Sequence, residues 1–215
     1  MSAAEPAVHL VDDEAAVRDA LAFLFSSHGL AVQTYDGGPA LLGHLGAGAP
    51  LRGCIVLDVR MEPMSGLQVH DALVERGIDL PVLFLSGHGD IPMAVDALKK
   101  GAFDFLEKPF SDSALVERVL RALRVEAAQQ ASSARGDERE ARLASLSERE
   151  REVMLRVAAG KLNKVIADEL GISMRTVEVH RARVYAKLGL RSAAEVATLL
   201  AQGPAGRGFP DNGGQ

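Results

Sequence analysis

Apolar and polar positions divide the chain into two stretches of different rhythm. Up to about residue 125, short apolar runs (AVHLV, AVQTY, GCIVLD, PVLFLS, FDFLE) alternate with longer segments of helical period, such as EAAVRDALAFLFSSHG and GLQVHDALVERG. Short apolar runs bounded by turn residues read as strands buried on both faces. Five of them alternating with five helices predict an α/β fold, a doubly wound parallel sheet. Gly29, Gly77 and Gly101 each follow a periodic pattern, as glycines past a helix end do, and Ser111 stands where the fifth helix needs an N-cap.

The rhythm then changes. Residues 127–144 read AAQQASSARGDEREARLA, polar and small, with Gly136 near the middle, and predict a linker that admits some helix. Four short helix patterns follow, without strands. The first opens on Ser147 and Glu150 in capping-box spacing and stops at Gly160, and the second stops at Gly171. The third runs from Ser173 to Gly189, and the fourth covers AAEVATLLAQ. Two helices joined through Gly171, Ile172 and Ser173 make a helix-turn-helix. The expected organisation is an α/β domain over 7–126, a linker over 127–144, a small all-α four-helix domain over 145–202 and a disordered tail over 203–215.

Composition narrows the class. The 215 residues are 47% hydrophobic and 25% charged, in the globular range, and no apolar run approaches the ~18 residues of a membrane helix. The amino terminus has no basic, apolar signal pattern, and the single Cys54 precludes an internal disulfide; both point to a cytoplasmic setting and no membrane. Charge is uneven. Residues 1–125 carry 10 Lys+Arg against 17 Asp+Glu, net −7, whereas residues 161–191 carry seven basic against three acidic, net +4. That basic stretch is a modest footprint for a polyanion.

Candidate chemistry sits at the strand ends. Asp12 and Asp13 end the first strand, Asp58 ends the third, and Ser86 and Lys108 follow the fourth and fifth. In a sheet of order 2-1-3-4-5 these strands are neighbours, and ligands bind at the carboxyl edge. Taken singly, Asp13 would cap a helix, Ser86 a turn, and Lys108 would be a solvated lysine. Together, three carboxylates crowd one another unless a hard cation lies among them, which suits Mg²⁺ and a phosphoryl group. Asp58 would then be a carboxylate nucleophile, with Lys108 neutralising phosphoryl oxygens and Ser86 hydrogen-bonding the product. His9, inside a strand, reads as a hydrogen-bonded core histidine; His88, in the loop after Ser86, would bear on phosphoryl lifetime rather than bind metal.

Residues 7–125 resemble the receiver domain of two-component response regulators, and SGHGDIPMAVDALKKGAFDFLEKPF resembles its FixJ branch. The resemblance implies a flavodoxin-like fold with Asp58 as phosphoacceptor. It places Mg²⁺ on Asp13, Asp58 and the Arg60 backbone carbonyl, with Asp12 acting through water. Ser86 and Lys108 would contact the phosphoryl group, Phe105 would be the aromatic switch, and the Lys108-Pro109 peptide would be cis. The chain departs from the family at one place. FixJ-type sequences carry proline directly after the methionine of the loop, whereas here Glu62 intervenes and the proline is Pro63.

In SMRTVEVHRARVYAKLGL, Val177, Val184 and Leu188 recur at helical spacing as a packing face, and Arg175, Glu178, Val179, Ala182 and Arg183 project outward. The segment from Leu146 resembles the LuxR/NarL-type helix-turn-helix. By that resemblance Glu178, Val179 and Ala182 face bases, Lys164, Arg175, Thr176, Arg183 and Lys187 face phosphates, and His180 is packed as much as DNA-facing. The implied protein takes a phosphoryl group from a sensor histidine kinase, forms a homodimer, and binds promoter double-stranded DNA, with activation through RNA polymerase favoured. Two rivals stand beside it: a phosphorylation-independent DNA-binding regulator with a relic receiver, and a Mg²⁺-dependent aspartyl phosphatase.

Overall fold

The structure is a computed structural model and describes residues 5–46, 51–87 and 91–201. His88 and the tail over 203–215 lie outside the described residues. Strands β1 (Ala7–Val11), β2 (Val32–Tyr35), β3 (Gly53–Asp58), β4 (Val82–Ser86) and β5 (Asp104–Glu107) form one parallel sheet in the order β2-β1-β3-β4-β5. Helices α1 (Ala15–Ser27), α2 (Gly38–Gly46), α3 (Gly66–Glu75), α4 (Ile91–Lys99) and α5 (Asp112–Ala144) alternate with the strands. The doubly wound α/β fold is the one the apolar rhythm predicts.

Every residue of β3 and β4 is buried, because both sheet faces are covered. Val8, Leu10, Cys54, Val56, Leu83 and Leu85 pack with Leu21 and Phe25 of α1 and Leu115, Val116 and Val119 of α5. Val11, Ile55, Leu57, Val82 and Phe84 point the other way, toward Leu41 of α2, Val69 and Leu73 of α3, and Ala97 of α4. Burial also pushes the Cys54 thiol up to about 12, with the nearby Glu126 charge adding to it, so this cysteine is an inert core residue. His9 is a bonded core histidine as expected: Nδ1 lies 3.2 Å from the Tyr35 hydroxyl and Nε2 3.1 Å from the Arg52 carbonyl, and burial lowers its pKa.

Strand register sets the level of the site. Val11 pairs with Leu57, so Asp12 and Asp58 emerge together; Asp58 pairs with Leu85 and Ser86 with Glu107, so Ser86 and Lys108 emerge beside them. The loop after β3 must return immediately under Asp58 to start α3. Only a glycine fits there, since a Cβ on Gly66 would lie 2.1 Å from the Asp58 carbonyl oxygen. The Glu62-Pro63 and Lys108-Pro109 peptides are both cis.

Where the linker was expected, α5 continues without a break for 33 residues to Ala144. Residues 127–144 contain no proline and are rich in Ala, Arg, Glu and Gln, all strong helix formers. Glu138 and Arg142 pair at 2.6 Å one turn apart. Contacts divide the chain between Ser132 and Ser133.

The second unit holds α6 (Glu148–Ala158), α7 (Asn163–Leu170), α8 (Met174–Leu188) and α9 (Ala193–Ala201). Ser147 and Glu150 form the capping box: the Ser147 hydroxyl accepts from the Glu150 amide at 3.2 Å, and the Glu150 carboxylate accepts from the Ser147 amide at 2.9 Å. Gly171 closes α7 in the left-handed conformation (φ 62°), and Ser173 caps α8 by accepting from the Thr176 amide. Val153, Val157, Ile166 and Val177 form one small core and Met154, Val184, Leu188 and Val196 another, with Tyr185 against both.

Gly66→Ala is expected to lower stability by about 1–3 kcal/mol, since its Cβ must push the Asp58 backbone aside. Urea unfolding of the two proteins measures it.

Candidate functional site

The ends of two neighbouring strands, β1 and β3, bring the acids together. Asp12 is 1% and Asp58 6% exposed, whereas Asp13 is open to solvent. The Asp12 carboxylate accepts from the Glu14 amide (2.9 Å) with one oxygen. Its other oxygen is buried without a hydrogen bond and lies 3.6 Å from the Lys108 ammonium. That separation is an ion contact too long for a hydrogen bond. Asp58 is held on both oxygens: Lys108 Nζ donates to Oδ1 and the Arg60 amide to Oδ2, each at 2.7 Å. Asp13 Oδ2 accepts from the Glu62 amide at 3.3 Å.

Electrostatics reflect that crowding. Burial first, and the Asp58 and Asp13 charges with it, push Asp12 above the usual carboxylate range, against the pull of the Glu14 amide and Lys108. For Lys108, burial alone would lower the pKa, but the hydrogen bond and charge of Asp58, then the charge of Asp12, outweigh it and the net shift is upward. Lys108 is therefore firmly cationic.

Ser86 is fully buried and its hydroxyl donates to the Gly87 carbonyl at 3.0 Å. Phe105, half-buried on β5, tilts against Phe84 with ring centres 6.4 Å apart, and Phe84 meets the buried His70 edge-on at 5.5 Å. The backbone amide of Lys108 donates to the Ser86 carbonyl at 2.6 Å. Ser86, Phe105 and Lys108 thus share one short piece of structure.

Donor chemistry suits a magnesium ion here. Three carboxylates and the loop carbonyls offer only hard oxygens, and the unbonded Asp12 oxygen has capacity to spare. The acids do not already surround one point: among the described residues no three acidic, His or Cys side chains form a ready metal cluster. Lys108 and backbone amides instead take both Asp58 oxygens and one oxygen each of Asp12 and Asp13.

On α8, Arg175, Glu178, Val179, Ala182, Arg183 and Lys187 are exposed, Thr176 and His180 half-buried, and Val177, Val184 and Leu188 buried, as the helical spacing predicts. Lys164 is exposed on α7. A 15-residue helix is about 22 Å long, which suits a major groove. Three details had no sequence signal. Lys187 donates to the buried Glu150 carboxylate (2.6 Å) and the Ser145 carbonyl (3.0 Å), so its ammonium is engaged within the domain. That bond, with the Ser147 amide, holds the Glu150 carboxyl below its usual range. Arg181 ties α8 to α7 through Asn163 (2.5 Å) and to the Tyr185 hydroxyl (2.8 Å), and His180 Nδ1 is buried without a partner.

Known proteins share both halves of this arrangement. The response regulator receiver domain matches residues 8–120, and the bacterial regulatory proteins of the luxR family match residues 144–200. The chain belongs to the response regulators that carry a LuxR-type DNA-binding domain, and it regulates transcription under control of phosphorylation. It is 51% identical to the C4-dicarboxylate transport transcriptional regulatory protein DctR of Rhodobacter capsulatus, over 89% of this chain and 98% of that one. It is 47% identical to the transcriptional regulatory protein FixJ of Azorhizobium caulinodans, over 89% and 90%. The solved structure of the response regulator StyR aligns with a TM-score of 0.84 at 39% identity, over 92% of this chain and 99% of that one. Among the described residues no helix is long and apolar enough to cross a membrane.

The raised pKa of Asp12 has a consequence for stability. A carboxyl whose folded pKa exceeds its unfolded one loses stability as pH rises through the folded value. Asp12→Asn is therefore expected to be more stable than the parent at pH 7 without metal. The gap should close as pH falls below about 3.9, the ordinary aspartate value. Thermal unfolding across that pH range measures both.

Proposed function

We propose that Asp58 is the phosphoacceptor and that a sensor histidine kinase supplies the phosphoryl group. The observation that carries the reading is the Lys108 ammonium 2.7 Å from Asp58 and 3.6 Å from Asp12, a cation already placed where phosphoryl charge would arrive. Asp13, Asp58 and the Arg60 carbonyl would hold Mg²⁺ directly, and Asp12 through water. Bound there, the ion would offset the negative charge of the transferring group.

The chain's own residues do the rest. An Asp58 carboxylate oxygen attacks phosphorus, the donor leaves with its bonding electrons, and Asp58 becomes an acyl phosphate. Lys108 exchanges a carboxylate for phosphoryl oxygens. Ser86 turns its hydroxyl from the Gly87 carbonyl to the new group. Phe105, on β5 opposite Phe84, follows Ser86 inward. Turnover ends with loss of the phosphoryl group to water, so the only chemistry is at Asp58 itself.

The output is DNA binding. Glu178 accepts from cytosine N4, Val179 and Ala182 touch thymine methyls, and Lys164, Arg175, Thr176 and Arg183 hold phosphates, with His180 and Lys187 framing the helix. One module with so few cations binds weakly, so affinity comes from a homodimer on paired half-sites. The exposed Met93, Val95 and Leu98 on α4 support pairing of receivers through α4 and β5. Bound at a promoter, the dimer activates through RNA polymerase. The same reading sets the protein in the cytoplasm, with the DNA.

Incubation with acetyl phosphate and Mg²⁺, followed by intact-mass measurement, tests the phosphoacceptor. The parent is expected to gain one phosphoryl group and Asp58→Asn none. An unlabelled parent would favour a phosphorylation-independent regulator, and equal labelling of both would move the acceptor elsewhere.

A further inference from the structure

We propose that the backbone amide of Glu62 is a positioning group for the metal site: it holds Asp13 in an orientation that Mg²⁺ must displace. The proposal rests on the reading of Asp13 as a metal-binding acid. Asp13 Oδ2 accepts from the Glu62 amide at 3.3 Å, and both residues are at the surface beside the buried acids. The donor exists because residue 62 is not proline. A proline there would have no N–H to give.

The stem of this amide is fixed. Met61, the residue before it, is 6% exposed and packs in the core cluster of α2 and α3, so the Glu62 N–H is presented from an anchored loop. The same loop gives the Arg60 amide to Asp58 Oδ2 at 2.7 Å. Two of the three acids therefore take hydrogen bonds from one short segment. An amide on a carboxylate oxygen competes directly with a cation for that oxygen. Because Mg²⁺ must displace this amide, the bond raises the Mg²⁺ concentration needed to fill the site. It leaves the phosphoryl step unchanged once the site is full, because Asp58, Lys108 and Ser86 are untouched.

Titration calorimetry of the full-length, unphosphorylated protein with MgCl₂ tests this, together with labelling rates across Mg²⁺ concentration. Glu62→Pro combined with Pro63→Gly removes the donor. It is expected to bind Mg²⁺ about fivefold tighter, the scale of one ordinary hydrogen bond, with a lower half-saturating Mg²⁺ and an unchanged maximal rate. Glu62→Gln keeps the donor and removes only an exposed charge, so it should stay within about twofold of the parent. A parental affinity in the double variant overturns the proposal, as does Glu62→Gln showing the whole gain. If the double variant melts early, the Glu62 amide resonance of the parent decides: it should move upfield along the Mg²⁺ binding curve, and an unmoved resonance overturns the proposal. Asp13→Asn separates the two levels, since parental affinity there refutes Asp13 as a metal acid.

Discussion

Charge crowding at the carboxyl edge of the sheet is the constraint on which the rest depends. Asp12, Asp13 and Asp58 emerge at one level because β1 and β3 pair in register, and Lys108 stands between Asp58 and Asp12. The apolar sheet beneath gives the buried carboxylates little solvent. The raised pKa of Asp12 and the raised pKa of Lys108 are two sides of one imbalance. Such an edge leaves one buried Asp12 oxygen without a hydrogen bond, the capacity that the proposed cation and phosphoryl group would use.

The same edge is wired to the surface by short steps. Ser86 and Lys108 share a backbone hydrogen bond, Phe105 lies three residues before Lys108, and its ring rests on Phe84, which rests on His70. These contacts belong to β4, β5 and α3, close to the exposed apolar side chains of α4. In the proposed switch, a change of charge at Asp58 is read out through this aromatic layer.

How much of this was legible in the sequence varied with the kind of physics involved. Buried strands announce themselves, and β3 and β4 are buried along their whole lengths as their apolar runs imply. Helix stops at Gly29, Gly77, Gly171 and Gly189 carry positive φ in the structure, because only a backbone without Cβ turns there easily. The stretch 127–144, expected as a linker that admits some helix, is helical throughout, because an exposed helix needs no apolar stripe; intrinsic propensity and Glu138–Arg142 pairing suffice. Pairings across the fold left no local trace. Nothing near Lys187 points to Glu150, 37 residues earlier, and nothing near Glu62 shows that its amide reaches Asp13. The acids at the strand ends were readable one by one, and their convergence only once a sheet order was supposed.

The central claim is that phosphorylation of Asp58 governs DNA binding by the second unit. Selection of bound sequences from random DNA, followed by affinity measurement on the recovered site at fixed salt, tests it most directly. Phosphorylated parent is expected to bind that site at least about tenfold tighter than Asp58→Asn, the gain of about 1.4 kcal/mol that pairing on two half-sites readily exceeds. Equal affinity of the two proteins for the same site would contradict the account.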